Sequence, residues 1–358
     1  MPSKVRVLVV DDSAFMRKIV SDLLASEPGV EVVGVARDGF EALDKVKELA
    51  PDVVTLDIEM PRMDGLTALG RIMAERPTRV IMCSSLTQRG AQATIKALSL
   101  GAIDFIPKPI AGVFSDLVNF KRDLISKVFT AMRSRFPRQA GAVPYAPRRA
   151  LKSAGSAEEP ARPADTVVVI GSSTGGPSAL QEVFRNLPAG LKAGVLVVQH
   201  MPPGFTRSLA CRLDDVSPLA VAEAAGGEQV SDGRALLAPG GFHMVPESSG
   251  RIVLTTDPPR HGVRPAVDIT MEAAAELYGP NVIGVVLTGM GFDGARGCGS
   301  IKARGGIVIA EHESSCVVYG MPRAVVEMGY ADKVCPIDEI AGTIAEAVEE
   351  RAGRRVRR

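Results

Sequence analysis

Net charge is almost missing from this sequence. It has 42 lysines and arginines against 41 aspartates and glutamates, a formal charge of +1. No global field therefore draws the chain to nucleic acid or to an anionic membrane surface. Also lacking is any apolar run of the ~18 residues that a membrane-spanning helix needs, because charges interrupt every candidate. The opening MPSKVRVLVVDD enters a strand-like run at once, without the pattern of a signal peptide. Cysteine is scarce: five residues, at 83, 211, 298, 316 and 335, form no close pair. That argues against a disulfide framework and a Cys-ligated zinc site, and leaves reduced thiols used as small apolar residues. These absences predict a soluble cytoplasmic protein with no nucleic-acid partner and no direct membrane insertion.

The 358 residues suffice for about two ordinary domains. Residues 1–133 alternate apolar strands (KVRVLVVDD, VEVVGVA, DVVTLDI, RVIMCSS, AIDFIPK) with amphipathic stretches. Phe40, Leu43, Val46 and Leu49 recur at near-helical spacing, and Val113, Leu117, Phe120, Leu124 and Val128 form a later stripe. Strand–helix alternation predicts a parallel sheet covered on both faces. Residues 134–165, rich in Pro, Ala, Gly and charge without period, are expected to be a flexible linker. From 166 to 350 a second α/β domain is expected, with strands near 166–170, 194–198, 282–287 and 306–310. Its Gly/Pro-rich middle, 216–260, reads as hairpins and loops, and the basic end, 351–358, as a solvated tail.

In the first domain, Asp11 and Asp12 close the first strand and Asp57 the third. The carboxyl ends of central parallel strands converge on one crevice. Carboxylates crowded there repel one another unless a cation intervenes, and a hard oxygen-binding ion such as Mg²⁺ fits. Ser84 at the end of the fourth strand and Lys108 after the fifth suit phosphoryl oxygens; the register favours Ser84 over its neighbour Ser85. The stretches VVDD, TLDIEMPRMDGL, CSS and DFIPKP resemble the response-regulator receiver domain along its whole length. The resemblance implies a flavodoxin-like, doubly wound fold with a five-stranded parallel sheet. It implies Asp57 as phosphoacceptor, Asp11, Asp12 and Asp57 as Mg²⁺ ligands, and Ser84 and Lys108 as phosphate contacts. It further implies Phe105 as the switch aromatic, a cis Lys108–Pro109 bond and a histidine kinase as phosphodonor.

The second domain opens with VVVIGSSTGG, an apolar run ending in glycines and hydroxyls. As a dinucleotide fingerprint it fails: Ser173 stands where a glycine is wanted, and the next strand, GVLVVQH, ends without an acid. A hydroxyl on a sharp strand-to-helix turn is instead a way to expose a nucleophile, which needs a base within hydrogen-bond reach. Only four histidines exist. His200 ends a strand at the same rim as Ser173 and is favoured. His312 is the rival, and His243 and His261 are less constrained. Asp293, after the glycine-rich turn of VIGVVLTGMGFDGARG, is the candidate to orient the base, with a helix N-cap as the plain alternative. Ser172 and Thr174 compete with Ser173.

IGSSTGGP, VVQHMPPGFTRSLA, LAPGGFHM, RPAVD, VVLTGMGFDGARG and ESSCVVYGMPRAV are similar to the catalytic domain of chemotaxis protein-glutamate methylesterases. The resemblance implies a doubly wound, mostly parallel α/β domain with a hairpin-rich insertion. It implies Ser173 as nucleophile, His200 as base and Asp293 as orienter. The Met290 N–H would be an oxyanion donor and Thr174 would line the pocket; Phe292 stands where relatives often carry a polar residue. The implied activity is demethylation of glutamate methyl esters, with deamidation of glutamines, on methyl-accepting chemotaxis receptors. It would be phosphorylation-controlled, need no cofactor for the esterase, and be carried out by a monomer. The readings from other classes are a receiver-controlled adaptor without catalysis, a hydrolase of some small ester, and a transcription factor, for which no basic recognition helix is present.

Overall fold

The computed structural model describes residues 4–109, 114–136 and 162–356. The chain divides into two compact units, residues 1–139 and 140–358. In the first, β1 (Val5–Val10), α1 (Ala14–Ala25), β2 (Val30–Ala36), α2 (Gly39–Leu49) and β3 (Val53–Asp57) are followed by α3 (Gly65–Glu75), β4 (Arg79–Ser84), α4 (Gln88–Ser99), β5 (Asp104–Pro107) and α5 (Phe114–Arg133). The five strands form one parallel sheet in the order β2-β1-β3-β4-β5, the doubly wound sheet expected. Every residue of β3 is buried, as its run of Val, Val, Thr, Leu and Asp requires when helices cover both faces.

The helices begin where polar side chains cap them. Ser13, Asp38, Asp64 and Thr87 accept from backbone N–H groups of the first turns of α1, α2, α3 and α4. Phe120, Leu124 and Val128 of α5 are buried; Val113, assigned to the same stripe, lies outside the described residues. In α2, Leu43 and Val46 are buried but Phe40 is 47% exposed. Residues three apart step back about 60° around a helix each time, so four of them cannot share one face.

The second unit runs β6 (Val167–Ser172), α6 (Gly176–Asn186), β7 (Gly194–Gln199), α7 (Phe205–Val216), β8 (Ala220–Glu223), β9 (Arg234–Leu237), β10 (His243–Pro246) and β11 (Ile252–Thr255). It continues with α8 (Val267–Tyr278), β12 (Val282–Val286), α9 (Ala295–Ala303), β13 (Ile307–Glu311), α10 (Met321–Glu327), β14 (Lys333–Cys335) and α11 (Ile337–Val356). Seven strands form a parallel sheet in the order β14-β13-β12-β6-β7-β9-β8, and β10–β11 is a separate antiparallel hairpin. The chain winds one way from β6 to β7 and the other way through β12, so the crevice opens between β6 and β12.

Three expectations change. Of the middle stretch read as hairpins and loops, β8 and β9 join the main sheet as parallel strands, and only β10–β11 is a hairpin. Four-residue strands are too short for periodicity to reveal, and their partner, β7, is supplied only by the fold. The basic end is helical as far as Val356, because Ile340, Ala341, Ile344, Ala347 and Val348 place one buried stripe on α11. The one cis peptide bond among the described residues joins Arg264 to Pro265, so Lys108–Pro109 is trans.

Most of the expected linker, 137–161, lies outside the described residues. Its two ends belong to the units: Ser134 O accepts from Arg79 Nε and Nη2, and Ala164 N–H donates to Val230 O at 3.0 Å. Among the described residues no helix is long and apolar enough to cross a membrane.

Candidate active sites

In the first unit, Asp11 and Asp57 are buried at the ends of β1 and β3, while Asp12 is exposed. One carboxylate oxygen from each of the three lies within 4.8 Å of the others. Lys108 Nζ bridges two of them, 2.8 Å from Asp11 Oδ2 and 2.9 Å from Asp57 Oδ1. Burial is the largest influence on Asp57 and pushes it up to about 6; Lys108 opposes this and Asp11 adds to it. Burial works against the Lys108 ammonium, but its bonds to both carboxylates hold it above the usual lysine range.

The two neighbouring serines differ from the sequence expectation. Ser84 is fully buried and turned toward α4, its hydroxyl 2.8 Å from Thr94 Oγ1 and 3.2 Å from Gly90 O. Ser85 instead lines the acidic cleft with Asp12, Asp57, Glu59 and Lys108. Ser84 closes β4 with its hydroxyl held by Gly90 and Thr94 of α4, which leaves Ser85, one residue further on, at the cleft.

In the second unit, Ser173 follows β6, Thr288 and Asp293 follow β12, and His200 follows β7. Register pairs Ser172 with Gln199 and Gly171 with Val286, so the residues just beyond emerge side by side at one rim. Gly175 makes the turn into α6 with φ +80°, and a Cβ there would lie 2.6 Å from Val317 Cβ. Gln199, a polar residue closing an otherwise apolar strand, ties the rim together. Its Nε2 donates to Ser173 O at 2.9 Å and His200 O at 3.1 Å, and its Oε1 accepts from Ser172 Oγ at 2.7 Å.

The three hydroxyls are thereby distinguished. Ser172 is fully buried and its hydroxyl is occupied, Thr174 is 8% exposed, and Ser173 is half-buried. Among the described residues Ser173 Oγ has no hydrogen bond, to His200 or to any other group. Contacts of this kind are often long until substrate is bound.

The histidines separate too. His200 Nε2 lies 2.8 Å from Asp293 Oδ2. His312 bonds locally to Ser314 Oγ at 2.9 Å, and His243 is buried, its Nδ1 accepting from Ala266 N–H at 3.2 Å. His261 forms a second His–carboxylate pair, 2.9 Å from Asp268 Oδ2, and its ring meets Phe292 edge-on at 4.7 Å.

Asp293 also caps a helix, though chiefly one that is remote in sequence. Oδ2 accepts from Val267 N–H at 2.7 Å and Oδ1 from Asp268 N–H at 3.0 Å, both at the start of α8. Asp268 returns the arrangement, its Oδ1 accepting from Gly294 N–H at 2.9 Å and Gly297 N–H at 2.7 Å at the start of α9. Burial would raise both acids. In Asp293 the bonds from His200 and from these amides win, and the carboxyl sits below its ordinary range. In Asp268 burial wins, with the neighbouring Asp293 charge adding to it, and the carboxyl sits above.

With Asp293 ionised, the ring proton of a neutral His200 belongs on Nε2, which leaves Nδ1 as the basic nitrogen. Sequence reading passed over Gln199, Asp268 and Thr288. The first two were visible as polar residues in apolar surroundings, but their partners were not.

The CheB methylesterase family matches residues 168–344 and the response regulator receiver domain residues 7–117. A protein-glutamate methylesterase/protein-glutamine glutaminase of Symbiobacterium thermophilum is 51% identical over 97% of this chain and 98% of its own. One of Thermotoga maritima is 48% identical over 96% of this chain and 98% of its own. The crystal structure of the Thermotoga maritima CheB methylesterase catalytic domain is similar with a TM-score of 0.50 and 49% identity, covering 51% of this chain and 97% of that one. A receiver pocket of three aspartates and a lysine, followed in one chain by a Ser–His–Asp rim and matched over nearly its full length, places this chain in the protein-glutamate methylesterase/protein-glutamine glutaminase family.

Proposed function

We propose that this chain is a phosphorylation-controlled serine hydrolase that removes methyl groups from glutamate γ-methyl esters, and amide groups from glutamines, on the cytoplasmic helices of chemoreceptors. The observation that carries the reading is the His200–Asp293 pair at 2.8 Å, at the same rim as a half-buried serine whose hydroxyl has no hydrogen bond among the described residues. Ser173 Oγ attacks the ester carbonyl as His200 Nδ1 takes its proton, and Asp293 holds the imidazolium that forms. The Met290 N–H, on the turn after β12, receives the developing oxyanion, and Thr174 lines the pocket. The tetrahedral adduct collapses with return of the proton to the leaving oxygen, and methanol departs. Water, activated by His200, then attacks the acyl-serine and frees glutamate and Ser173. With glutamine, ammonia leaves in place of methanol.

Control comes from the receiver. Asp57 accepts the phosphoryl group from a histidine kinase. Lys108 and a hydroxyl from the Ser84–Ser85 pair contact its oxygens; Ser85 lines the cleft, whereas Ser84 reaches it only by leaving Gly90 and Thr94. Three clustered carboxylates with one lysine between them fit a hard divalent cation, so Asp11, Asp12 and Asp57 would hold Mg²⁺. When bound, the ion offsets the charge of the carboxylates and of the transferring phosphoryl oxygens. The enzyme would act in the cytoplasm as a monomer.

The test is methanol release from methylated receptor by the full-length protein, with and without a small phosphodonor and Mg²⁺. Turnover is expected to rise with the phosphodonor and to fall by up to ~10⁶-fold in Ser173→Ala. Near-normal turnover in that variant would remove the nucleophile assignment.

A further inference from the structure

We infer that Glu311 is a positioning residue of the esterase: from the end of β13 its carboxylate holds the segment after β12 against the Ser173 turn. This rests on the reading of Ser173 as nucleophile. Glu311 is 1% exposed, and none of the ion pairs found among the described residues includes it. Among the described residues its oxygens face neutral donors, the Cys316 thiol as well as Thr288 and Ser315. Oε2 accepts from Thr288 N–H at 2.7 Å, and Oε1 accepts from Ser315 Oγ at 2.9 Å. Ser315 Oγ in turn accepts from Ile337 N–H at 3.0 Å, which directs its own proton toward the carboxylate. Burying a carboxylate without a cation is costly, so its placement is informative.

What Glu311 holds is adjacent to the chemistry. Thr288 O accepts from Ser173 N–H at 3.1 Å, and Thr288 Oγ1 donates to Thr174 O at 3.0 Å while accepting from Val318 N–H at 2.9 Å. The next residue, Gly289, packs so closely that a Cβ on it would lie 2.9 Å from Ser173 Cβ. The residue after that is Met290. One side chain therefore sets the height of the turn that carries the proposed oxyanion donor and, through Thr288, the backbone on either side of the nucleophile. Glu311 touches no reacting atom; it acts through Thr288.

The experiment compares Glu311→Gln with Glu311→Met in the full-length, phosphodonor-activated protein, measuring kcat and KM for methylated receptor alongside thermal unfolding. Glutamine keeps an acceptor for Thr288 N–H and offers its amide hydrogens to Ser315 Oγ. Methionine has the same length and no such acceptor. A misplacement near 1 Å costs about 10²-fold, so Glu311→Met is expected to lose about 10- to 100-fold in kcat at unchanged KM, and Glu311→Gln less than about 3-fold. Wild-type kcat in a folded Glu311→Met, an equal loss in both variants, or a change confined to KM would overturn the inference. Should Glu311→Met not fold, Glu311→Asp decides: it keeps the carboxylate but withdraws it from Thr288 N–H by one methylene, and is expected to lose about 10-fold in kcat at constant KM, whereas wild-type kcat overturns. Failure of the nucleophile assignment would show separately, as turnover surviving Ser173→Ala.

Discussion

At the scale of single residues, the chemistry of the second unit depends on which way protons can point. Asp293 accepts from four donors: the His200 ring and the amides of Val267, Asp268 and Gly294. Asp293→Asn keeps the shape but turns one of these acceptors into a donor that faces other donors. It is expected to lower kcat by about 10⁴-fold through the wrong His200 tautomer, and to lower the melting temperature as well. Steady-state kinetics with thermal unfolding checks both, and activity within tenfold of wild type would contradict the assignment.

Glu311 supplies a pH dependence whose sign can be worked out. Burial pushes its carboxyl up to about 7, opposed by the bonds from Thr288, Ser315 and Cys316. Between the ordinary glutamate range and pH 7 the folded state holds a proton that the unfolded state has lost, so stability falls as pH rises through that window. Glu311→Gln cannot titrate and is expected to be more stable than wild type at pH 8, by up to about 3 kcal/mol, with the gap closing near pH 5. Melting curves at the two pH values test this; an equal gap at both would show that the buried charge is not responsible.

At the scale of elements, the helices of the first unit show how tightly one residue can be specified by what its turn approaches. Gly65 opens α3, and a Cβ there would lie 1.9 Å from the backbone oxygen of Asp57. Gly65→Ala is expected to destabilise that unit by about 1–3 kcal/mol or more and to block phosphorylation, because only movement of the end of β3 relieves the contact. Gly70, in the same helix, meets nothing within 4 Å. Gly70→Ala is therefore expected to stabilise by about 0.5–1 kcal/mol through helix propensity alone. Chemical denaturation of the two variants gives the comparison, and effects of the same sign would refute it.

Element boundaries were legible where the pattern was long. β1, β3, β6 and β7 are apolar runs ended by Asp, Ser or Gln, β12 is one that runs on through Leu287 and Thr288 to a glycine turn, and the centres of both sheets follow from them. β8, β9 and β14 were not legible, since three or four residues carry no period and their pairing is with strands distant in sequence.

At the scale of the whole molecule, a receiver and a hydrolase share one chain, so the first is at high effective concentration near the second. If the unphosphorylated receiver keeps the catalytic rim covered about nine-tenths of the time, moving that to one-tenth requires roughly 2.6 kcal/mol of differential interaction. This lies within the usual allosteric coupling of about 1–3 kcal/mol. The fragment 160–358 is then expected to release methanol about tenfold faster than unphosphorylated full-length protein and to ignore the phosphodonor. A fragment no faster than the full chain would rule out simple coverage.

The sequence by itself determined the two α/β units, the strand ends that carry Asp11, Asp12, Asp57, Ser173 and His200, and the glycine-rich turn before Asp293. Apolar runs and glycine turns are local, and local steric and solvation preferences act before any long-range contact exists. The tertiary structure alone decided which of Ser84 and Ser85 lines the acidic cleft, and which of four histidines meets Asp293. It also decided that two aspartates 25 residues apart cap each other's helices and that Glu311 reaches Thr288. Those outcomes depend on side chains brought together by sheet register and helix packing, and no spacing along the chain encodes that distance.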